Sequence, residues 1–248
     1  TISFADKSYE LLREVIIPSS ITEISTYAFA NVTSLTTIEI PNTIKQVGEN
    51  AFKGCVNLNS LYYDGKTIDW FDIEFKNDFS LPNYNDNFEN FYIKNDVGNI
   101  IYNKNKYDIL EQVEITQDIT KLSSSIFYNC KSLTKLIINS DIIEESFYSL
   151  YFKNCPIKIL TVGENITNIS LNAFKGCNNL EEITLPFVGK NMESEGIESV
   201  FGYIFGYGNY NETGTTNQSY AYYYIPKTLK KVTITKTTKI KAIAFYNC

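Results

Sequence analysis

Histidine is absent from the 248-residue chain, and this absence removes whole classes of chemistry. Without imidazole there is no Ser/His or Cys/His nucleophile pair, no histidine general base and no histidine-ligated metal. No apolar run approaches the roughly 18 residues that a membrane-spanning helix needs, and the opening residues TISFADKSYE lack the basic and apolar regions of a signal peptide. We therefore expect no membrane insertion, no cofactor, no metal site and no catalytic residue in this sequence.

Methionine is also scarce, with one residue, whereas the chain holds 19 Tyr and 16 Phe and is 44% hydrophobic. This apolar content is sufficient for a sizeable core and argues against disorder. Abundant aromatic residues, Ile and Thr favour strands over helices. The net charge of −6 and the scattered lysines argue against a nucleic-acid partner, which would require a basic surface.

A repeated segment organises the sequence. The hexapeptide NAFKGC occurs at residues 50–55 and again at 172–177, and related segments, here called anchors, occur between the two copies and outside them. The aromatic residues of the anchors are Phe29, Phe52, Phe127, Phe152, Phe174 and Phe245. Anchors that follow one another directly are 22 to 25 residues apart. A unit of this length cannot bury its own apolar face, so the period predicts stacked repeats.

Each anchor inside the chain is followed by the pattern apolar-x-x-apolar-x-apolar, as in Leu35, Ile38 and Ile40. This alternation predicts a strand with one buried side. A proline such as Pro41 ends the strand, a short second strand such as IKQV follows, and the anchor turns the chain back. We expect one continuous parallel-stranded solenoid from residue 12 to residue 248, with Phe29, Phe52, Phe127, Phe152 and Phe174 buried in line.

The five cysteines are Cys55, Cys130, Cys155, Cys177 and Cys248. All occupy the last position of an anchor, where Val32 stands in the first copy. A position that accepts Cys or Val is a small apolar interior site, so we predict reduced, buried and unpaired thiols. Disulfides are the alternative for a secreted chain, although an odd number of repeat-phased cysteines does not favour them. The lack of a C-x-x-C pair disfavours zinc.

The most complete repeat, from Leu35 to Cys55, reads L-x-x-I-x-I-P-x-x-I-x-x-I-x-x-x-A-F-x-x-C and resembles the BspA-like class of leucine-rich repeats. The resemblance implies a β-rich leucine-rich-repeat solenoid. This fold is a curved right-handed coil with parallel strands on its concave face and short strands or helical turns on its convex side. We expect a single solenoid domain over residues 1–248, with irregular repeats at about 63–88 and 187–226, and a fragment of a longer protein.

The same resemblance implies a cell-surface or secreted protein that binds host or matrix macromolecules, with a protein or glycan as ligand. It implies no catalytic residue. The alternative function is an ancillary repeat domain of a larger enzyme whose catalytic part lies outside these residues.

Two regions are candidates for ligand binding. The first comprises the positions that flank the central apolar residue of each strand, since these should point out of the sheet; the second is the aromatic segment at residues 189–224. For the strands, a merely solvated sheet face is the alternative; for the segment, the alternative is that its rings cover the flank of the solenoid. The candidate residues are Thr37, Glu39, Ser60, Tyr62, Tyr92, Gln112, Glu114, Lys135, Glu182 and Thr184 on the strands and Tyr203, Tyr207 and Tyr210 in the segment.

Two lesser signals involve side-chain oxygens. The stretch NYNDNFEN at residues 83–90 contains possible Ca²⁺ ligands but lacks the glycine and terminal glutamate of a calcium loop, and a simple turn is the alternative. The adjacent pairs Glu144/Glu145 and Glu181/Glu182 cannot flank one glycosidic bond, because neighbours on a strand face opposite ways. We interpret them as solvated charges.

Overall fold

The computed structural model describes residues 11–94, 107–117, 126–127, 129–140, 155–207, 215–218 and 223–248. The chain divides into two compact units. The first consists of Thr1–Glu111 and Ser123–Ser132, and the second of Gln112–Leu122 and Leu133–Cys248. Among the described residues, no helix has the length and apolar character needed to cross a bilayer.

The first unit contains two sheets. Its elements are β1 (Glu14–Ile16), β2 (Glu23–Ile24), β3 (Thr37–Pro41), β4 (Gln46–Val47), β5 (Ser60–Asp64), α1 (Thr67–Phe71), β6 (Glu74–Phe75), η1 (Asp78–Ser80, a 3-10 helix), β7 (Asn90–Lys94) and β8 (Tyr107–Ile109). Strands β1, β3, β5 and β7 pair in parallel, and we call them the first ladder. The short strands β2, β4 and β6 form a second parallel sheet, which confirms the predicted short second strand of the repeat.

The second unit has one long sheet and a hairpin-like pair of strands. Its elements are β9 (Gln112–Ile115), β10 (Lys135–Ile138), β11 (Ile159–Val162), β12 (Glu182–Leu185), the 3-10 helices η2 (Gly196–Ser199) and η3 (Phe201–Ile204), β13 (Thr215–Gln218), β14 (Tyr223–Pro226) and β15 (Lys231–Ile234). Strands β9, β10, β11, β12 and β15 pair in parallel in that order and form the second ladder. Strands β13 and β14 pair antiparallel.

The register of both ladders is the one that the repeat pattern predicts. The central apolar residue of each strand is buried, as with Ile38 and Leu61 in the first ladder and Leu136 and Leu160 in the second. The residues before and after it face outward and lie beside their counterparts on the next strand. The β-rich repeat fold is confirmed because the same apolar alternation recurs at each rung.

The anchors show why the letters of NAFKGC recur. Asn50 and Gly54 have positive φ values of 55° and 79°, and Asn172 and Gly176 have values of 66° and 89°. Asn and Gly are the residues that adopt this left-handed conformation at least cost. The Ala, Phe and Cys between and after them are buried in both copies. The repeated letters therefore encode a turn with two left-handed residues and three core side chains.

Anchors of successive coils stack on one another. The rings of Phe29 and Phe52 lie 5.3 Å apart at an interplanar angle of 10°, and the Phe29 amide donates to the carbonyl of Ala51 at 2.9 Å. Phe127 and Phe174 are also buried, so burial is confirmed for these four rings. Phe152 lies outside the described residues.

One part of the predicted architecture is wrong. A single continuous parallel ladder was expected, but β8 pairs antiparallel with β7, and β9 belongs to a different sheet. The residues of β8 read YDI and lack the apolar-x-x-apolar-x-apolar pattern that specifies the parallel rungs. Whether residues 1–248 behave as a single domain stays a prediction.

The irregular repeat at residues 63–88 is built around the only tryptophan of the sequence. Trp70 of α1 is fully buried. Its ring centroid lies 5.1 Å from those of Tyr63 and Phe75 and 4.9 Å from that of Phe91. The helical turn therefore takes the place of part of a regular coil and fills the same core with one large side chain.

Candidate binding surfaces

The outward residues of β1, β3, β5 and β7, here called the first strand face, form two rows across the first ladder. One row is Glu14, Thr37, Ser60 and Asn90, and the other is Ile16, Glu39, Tyr62 and Tyr92. The predicted candidates Thr37, Glu39, Ser60, Tyr62 and Tyr92 thus lie together on three adjacent strands. All five are partly exposed.

A stacked tyrosine pair stands out on the first strand face. The rings of Tyr62 and Tyr92 lie 4.6 Å apart at an interplanar angle of 6°. Partial burial raises the pKa of Tyr62, and the nearby Tyr92 and Glu14 raise it further. Since Tyr62 stays neutral at physiological pH, the pair offers two aromatic rings and two hydroxyl groups in a fixed arrangement. Ile16, which is 63% exposed, lies in the same row.

The outward residues of β9, β10, β11, β12 and β15, here called the second strand face, are different in chemistry. The predicted candidates on it are Gln112, Glu114, Lys135, Glu182 and Thr184. Lys135 pairs with Gln112 in register, and Glu182 lies beside Lys231. The Lys231 ammonium lies 3.2 Å from the Glu182 carboxylate, and Asn139 donates to Glu114 at 2.9 Å. Charged groups on this face are therefore partly satisfied within the protein.

The aromatic segment at residues 189–224 is largely part of the core. Tyr203 was predicted to contact ligand, but it is only 7% exposed and this prediction is wrong. Its ring packs edge-on against the buried Tyr223 at 6.0 Å, and Phe201 and Phe205 are buried beside it. Tyr203 lies in η3, where Phe201 and Ile204 are also buried, and its ring packs in the core.

The remaining candidates of the segment differ in position. Tyr207 is 47% exposed and its hydroxyl lies 3.5 Å from that of Tyr223. The Tyr207 side chain is therefore partly accessible to solvent, and its hydroxyl contacts a buried residue. Tyr210 lies outside the described residues.

A buried glutamine holds this segment in place. Gln218 of β13 has no exposed surface. Its Oε1 accepts a hydrogen bond from the Gly202 amide at 2.7 Å, and its Nε2 donates to the Ala244 carbonyl at 3.0 Å. A side chain on Gly202 would meet Tyr223 and Gln218 within 3 Å, so glycine permits this close approach. Gln218 thus adds to the attachment of the long segment to the last anchor, which also includes the bond from the Phe201 amide to the Ala244 carbonyl and the ring contact of Phe201 with Phe245.

A groove of the first unit lies where the strands of the first ladder begin. We call it the edge groove; it has a volume of about 800 Å³ and is lined by Arg13, Thr33, Ser34, Thr36, Asn57, Asn59, Asn87, Glu89 and Lys131. Four of these residues, Arg13, Thr36, Asn59 and Glu89, directly precede the first strand of a rung. Only the outward strand positions were predicted as candidates, so this row was missed.

The asparagine-rich turn at residues 83–90 uses its amides within the protein. Asn83 donates to the Ile126 carbonyl at 3.1 Å, Asn85 to the Leu58 carbonyl at 2.8 Å and Asn87 to the Val56 carbonyl at 2.6 Å. In the described ranges, no group of three or more acidic, Cys or His residues is placed to hold a metal ion. The turn interpretation explains these contacts.

The carboxylate pair Glu181/Glu182 was interpreted as solvated charges, and both side chains are partly exposed, each in a surface ion pair. Glu181 lies 2.6 Å from the Lys230 ammonium, and Glu182 lies 3.2 Å from Lys231. The hydrogen bond from Lys230 lowers the pKa of Glu181. Each carboxylate meets a lysine because two consecutive rungs carry Glu-Glu and Lys-Lys in register. The other pair, Glu144/Glu145, lies outside the described residues.

Four of the five cysteines behave as predicted. Cys55, Cys130, Cys155 and Cys177 are buried free thiols. Burial raises the pKa of both Cys55 and Cys177 to about 12, which keeps these thiols protonated and unreactive. Cys248 is also free but exposed, so its predicted burial is wrong. Phe245 of the same anchor is 37% exposed, although its ring lies 5.2 Å from that of the buried Phe201.

The sequence matches the model of one protein family. The model of the BspA-type leucine-rich repeat region, present in six copies, matches residues 3–105 and 95–203. No curated protein matches the chain.

Several solved structures are similar at low sequence identity. A leucine-rich repeat protein from Bacteroides ovatus is 20% identical with a TM-score of 0.37, and the match covers 89% of this chain and 57% of that protein. The pneumococcal vaccine antigen PcpA is 15% identical with a TM-score of 0.33, over 92% of this chain and 76% of that one. A leucine-rich cell surface protein from Faecalibacterium prausnitzii is 17% identical with a TM-score of 0.28, over 92% and 80% of the two chains.

Proposed function

The chain belongs to the BspA-type leucine-rich-repeat family, and we propose that it is a non-enzymatic binding module of a cell-surface or secreted protein that holds a protein ligand on its first strand face. The observation that carries this proposal is the stacked pair of Tyr62 and Tyr92. Stacked and partly exposed tyrosines are fixed before binding, so a ligand gains contact area without paying to order them.

The surroundings of the pair support a protein ligand. The same row carries the exposed Ile16 and the carboxylate of Glu39. An aromatic centre beside apolar and charged groups is the composition typical of the energetically important part of protein interfaces. The ladder backbone is already hydrogen-bonded on both sides at β3 and β5, so recognition must run through side chains.

The non-enzymatic part of the proposal is supported by how the reactive groups are used. Four cysteines are buried. The carboxylates of Glu74, Glu181, Glu182 and Glu198 each lie within 3.2 Å of a lysine ammonium. These thiols and carboxylates are engaged within the protein, and this use supports a binding role over a catalytic one.

The proposal is tested with an array of purified matrix and host-surface proteins, followed by titration of the ligand that binds. We expect Tyr62→Ala to weaken binding at least tenfold, while Thr184→Ala at the matching position of the second ladder leaves it unchanged. The charge reversal Lys45→Glu, which lies next to β4 on the opposite sheet, is a further control. If Lys45→Glu abolishes binding and Tyr62→Ala does not, the ligand binds elsewhere and the proposal fails.

A further inference from the structure

The residues that line the edge groove differ in chemical type from those of the first strand face. Six of its nine lining residues are neutral Ser, Thr or Asn, the other three are charged, and none is aliphatic or aromatic. Protein ligands anchor themselves through apolar side chains in apolar pockets, and this groove offers no such pocket. A ligand that fits it must itself be covered with hydrogen-bonding groups.

The amides of the groove are held in place by bonds between coils. Asn57 donates to the Thr33 carbonyl at 2.7 Å and Asn87 donates to the Val56 carbonyl at 2.6 Å. Both side chains are exposed, and since each bond uses an Nδ2 hydrogen, the Oδ1 atoms are available as acceptors for a ligand. The half-buried Asn59 accepts from the Ser60 hydroxyl through its Oδ1 at 2.9 Å, so its Nδ2 hydrogens are available as donors. These internal bonds restrict the orientations of the amides before any ligand arrives.

Two cations mark the ends of the groove. Arg13 precedes β1, and Lys131 follows the anchor whose residue Ile126 accepts a hydrogen bond from Asn83, one coil beyond β7. No ion pair involves Arg13 or Lys131 in the described part of the chain. The three strand steps from β1 to β7 span about 14 Å, so the two cations are reached by an extended ligand rather than by a single small anion.

The corresponding edge of the second ladder has a different charge arrangement. There the residues that precede the strands include Glu181 and Lys230, which form an ion pair at 2.6 Å, and the exposed Lys158. In the first ladder the same repeat position carries Arg13, the neutral Thr36 and Asn59, and Glu89. The first edge therefore places a cation beside neutral hydrogen-bonding groups, and this combination suits an external anion that also carries hydroxyl groups.

We propose that the edge groove is a binding site for a short oligosaccharide that bears carboxylate groups. Sugar hydroxyls match the fixed Asn donors and acceptors and the carboxylate of Glu89, and the sugar carboxylate pairs with Arg13, whose guanidinium binds such groups in a bidentate manner. Neither Tyr62 nor Tyr92 lines the groove, so the site can be tested separately from the protein-binding role.

The test is isothermal titration calorimetry of the purified protein with trigalacturonate and hexagalacturonate at low salt. Maltotriose and maltohexaose serve as neutral probes, and a hexaglutamate peptide serves as an acidic peptide. We expect the galacturonates to bind at millimolar concentration or tighter, the neutral sugars at least tenfold more weakly, and the affinity for galacturonates to fall as NaCl is raised.

Two variants locate the site. In Asn59→Asp the acceptor for Ser60 is kept while the outward donors are replaced by a carboxylate oxygen, so we expect at least a tenfold loss of galacturonate binding with an unchanged thermal midpoint. Arg13→Gln should give a similar loss. Asn179→Asp controls for the added charge, since it makes the same change in the second ladder two positions before Glu181, the residue that corresponds to Asn59, and it should bind as the wild type does.

The inference is overturned if neither galacturonate binds, if maltohexaose binds equally well, if hexaglutamate binds more tightly than the sugars, or if Asn59→Asp and Asn179→Asp behave alike. None of these results bears on Tyr62. Conversely, loss of protein binding in Tyr62→Ala alongside intact galacturonate binding separates the two surfaces.

Discussion

The two ladders share one frame and differ in what they present to solvent. Both have the same register and the same buried central residues. The first ladder displays a tyrosine stack, and Arg13 and Lys131 line the groove at its edge without an ion pair among the described residues, whereas the second ladder pairs Lys230 and Lys231 with Glu181 and Glu182. The buried residues of the repeat determine the structure of each coil, whereas the outward-facing residues can differ between coils.

The largest effect should come from removing an anchor ring, and it should be the same in both units. Phe52→Ala and Phe174→Ala each empty a buried site, so each should lower the free energy of unfolding by about 3–5 kcal/mol. Chemical denaturation followed by circular dichroism measures this loss. An unchanged unfolding midpoint in Phe174→Ala would show that the assigned register is wrong.

The long segment exists only in the second unit, and Gln218 tests how firmly it is attached. Gln218→Ala leaves the buried Gly202 amide without this partner and removes one of two hydrogen bonds to the Ala244 carbonyl, so we expect a loss of about 1–3 kcal/mol. Gln112→Ala, which truncates an exposed glutamine on β9, is the control and should change stability by less than about 0.5 kcal/mol. Equal midpoints for the two variants would mean that the segment does not depend on this side chain.

Much of this architecture was readable from the sequence because it is local and repeated. The alternation around Ile38 and Leu61 fixes which residues face outward, and the anchor letters fix the turns. Pairing direction is not local, which is why the antiparallel β8 was missed. Gln218 resembles an ordinary loop residue in the stretch NETGTTNQSY, and only its partners Gly202 and Ala244 make it a core residue.

The candidate site was predictable in part for the same reason. Tyr62 and Tyr92 were identified from their repeat positions, although their stacking depends on the register of β5 and β7. The edge groove was not identified, because Arg13 and Lys131 are far apart in sequence and are gathered only by stacking. Tyr203 was misassigned because the glycines around it suggested an open loop.

Substitutions in the anchor turns should have a smaller effect, and they should stabilise the protein rather than destabilise it. Tyr27 and Ile243 stand where Asn50 and Asn172 stand in the repeated hexapeptide, and they hold positive φ values of 58° and 59°. Since asparagine adopts this conformation more easily than Tyr or Ile, Tyr27→Asn and Ile243→Asn should each stabilise the protein by about 1 kcal/mol. Thermal denaturation measures the change. A lowered midpoint in both variants would contradict the assignment of these turns.

The cysteines should differ in reactivity with little effect on stability. Because the pKa of Cys55 and of Cys177 is raised to about 12 by burial, their thiols stay protonated at neutral pH and resist alkylation. Iodoacetamide should label Cys248 alone in the native protein and all five cysteines after denaturation, as read by intact mass. Rapid labelling of Cys55 in the native protein would show that its thiol is not buried. Cys155→Val should be tolerated, as Val32 already is in the first anchor.

The central claim is that the first ladder, not the second, holds the protein ligand, and one paired titration tests it most directly. Tyr62→Thr together with Tyr92→Thr gives the first face the residue that the second face carries at Thr184, while Thr161→Ala together with Thr184→Ala alters the second face. We predict at least a tenfold loss of affinity for the first pair, with a loss of stability of about 0.5–1.5 kcal/mol from the broken stack, and no loss of affinity for the second pair. Unchanged affinity in the first pair, or a loss confined to the second, would contradict the account.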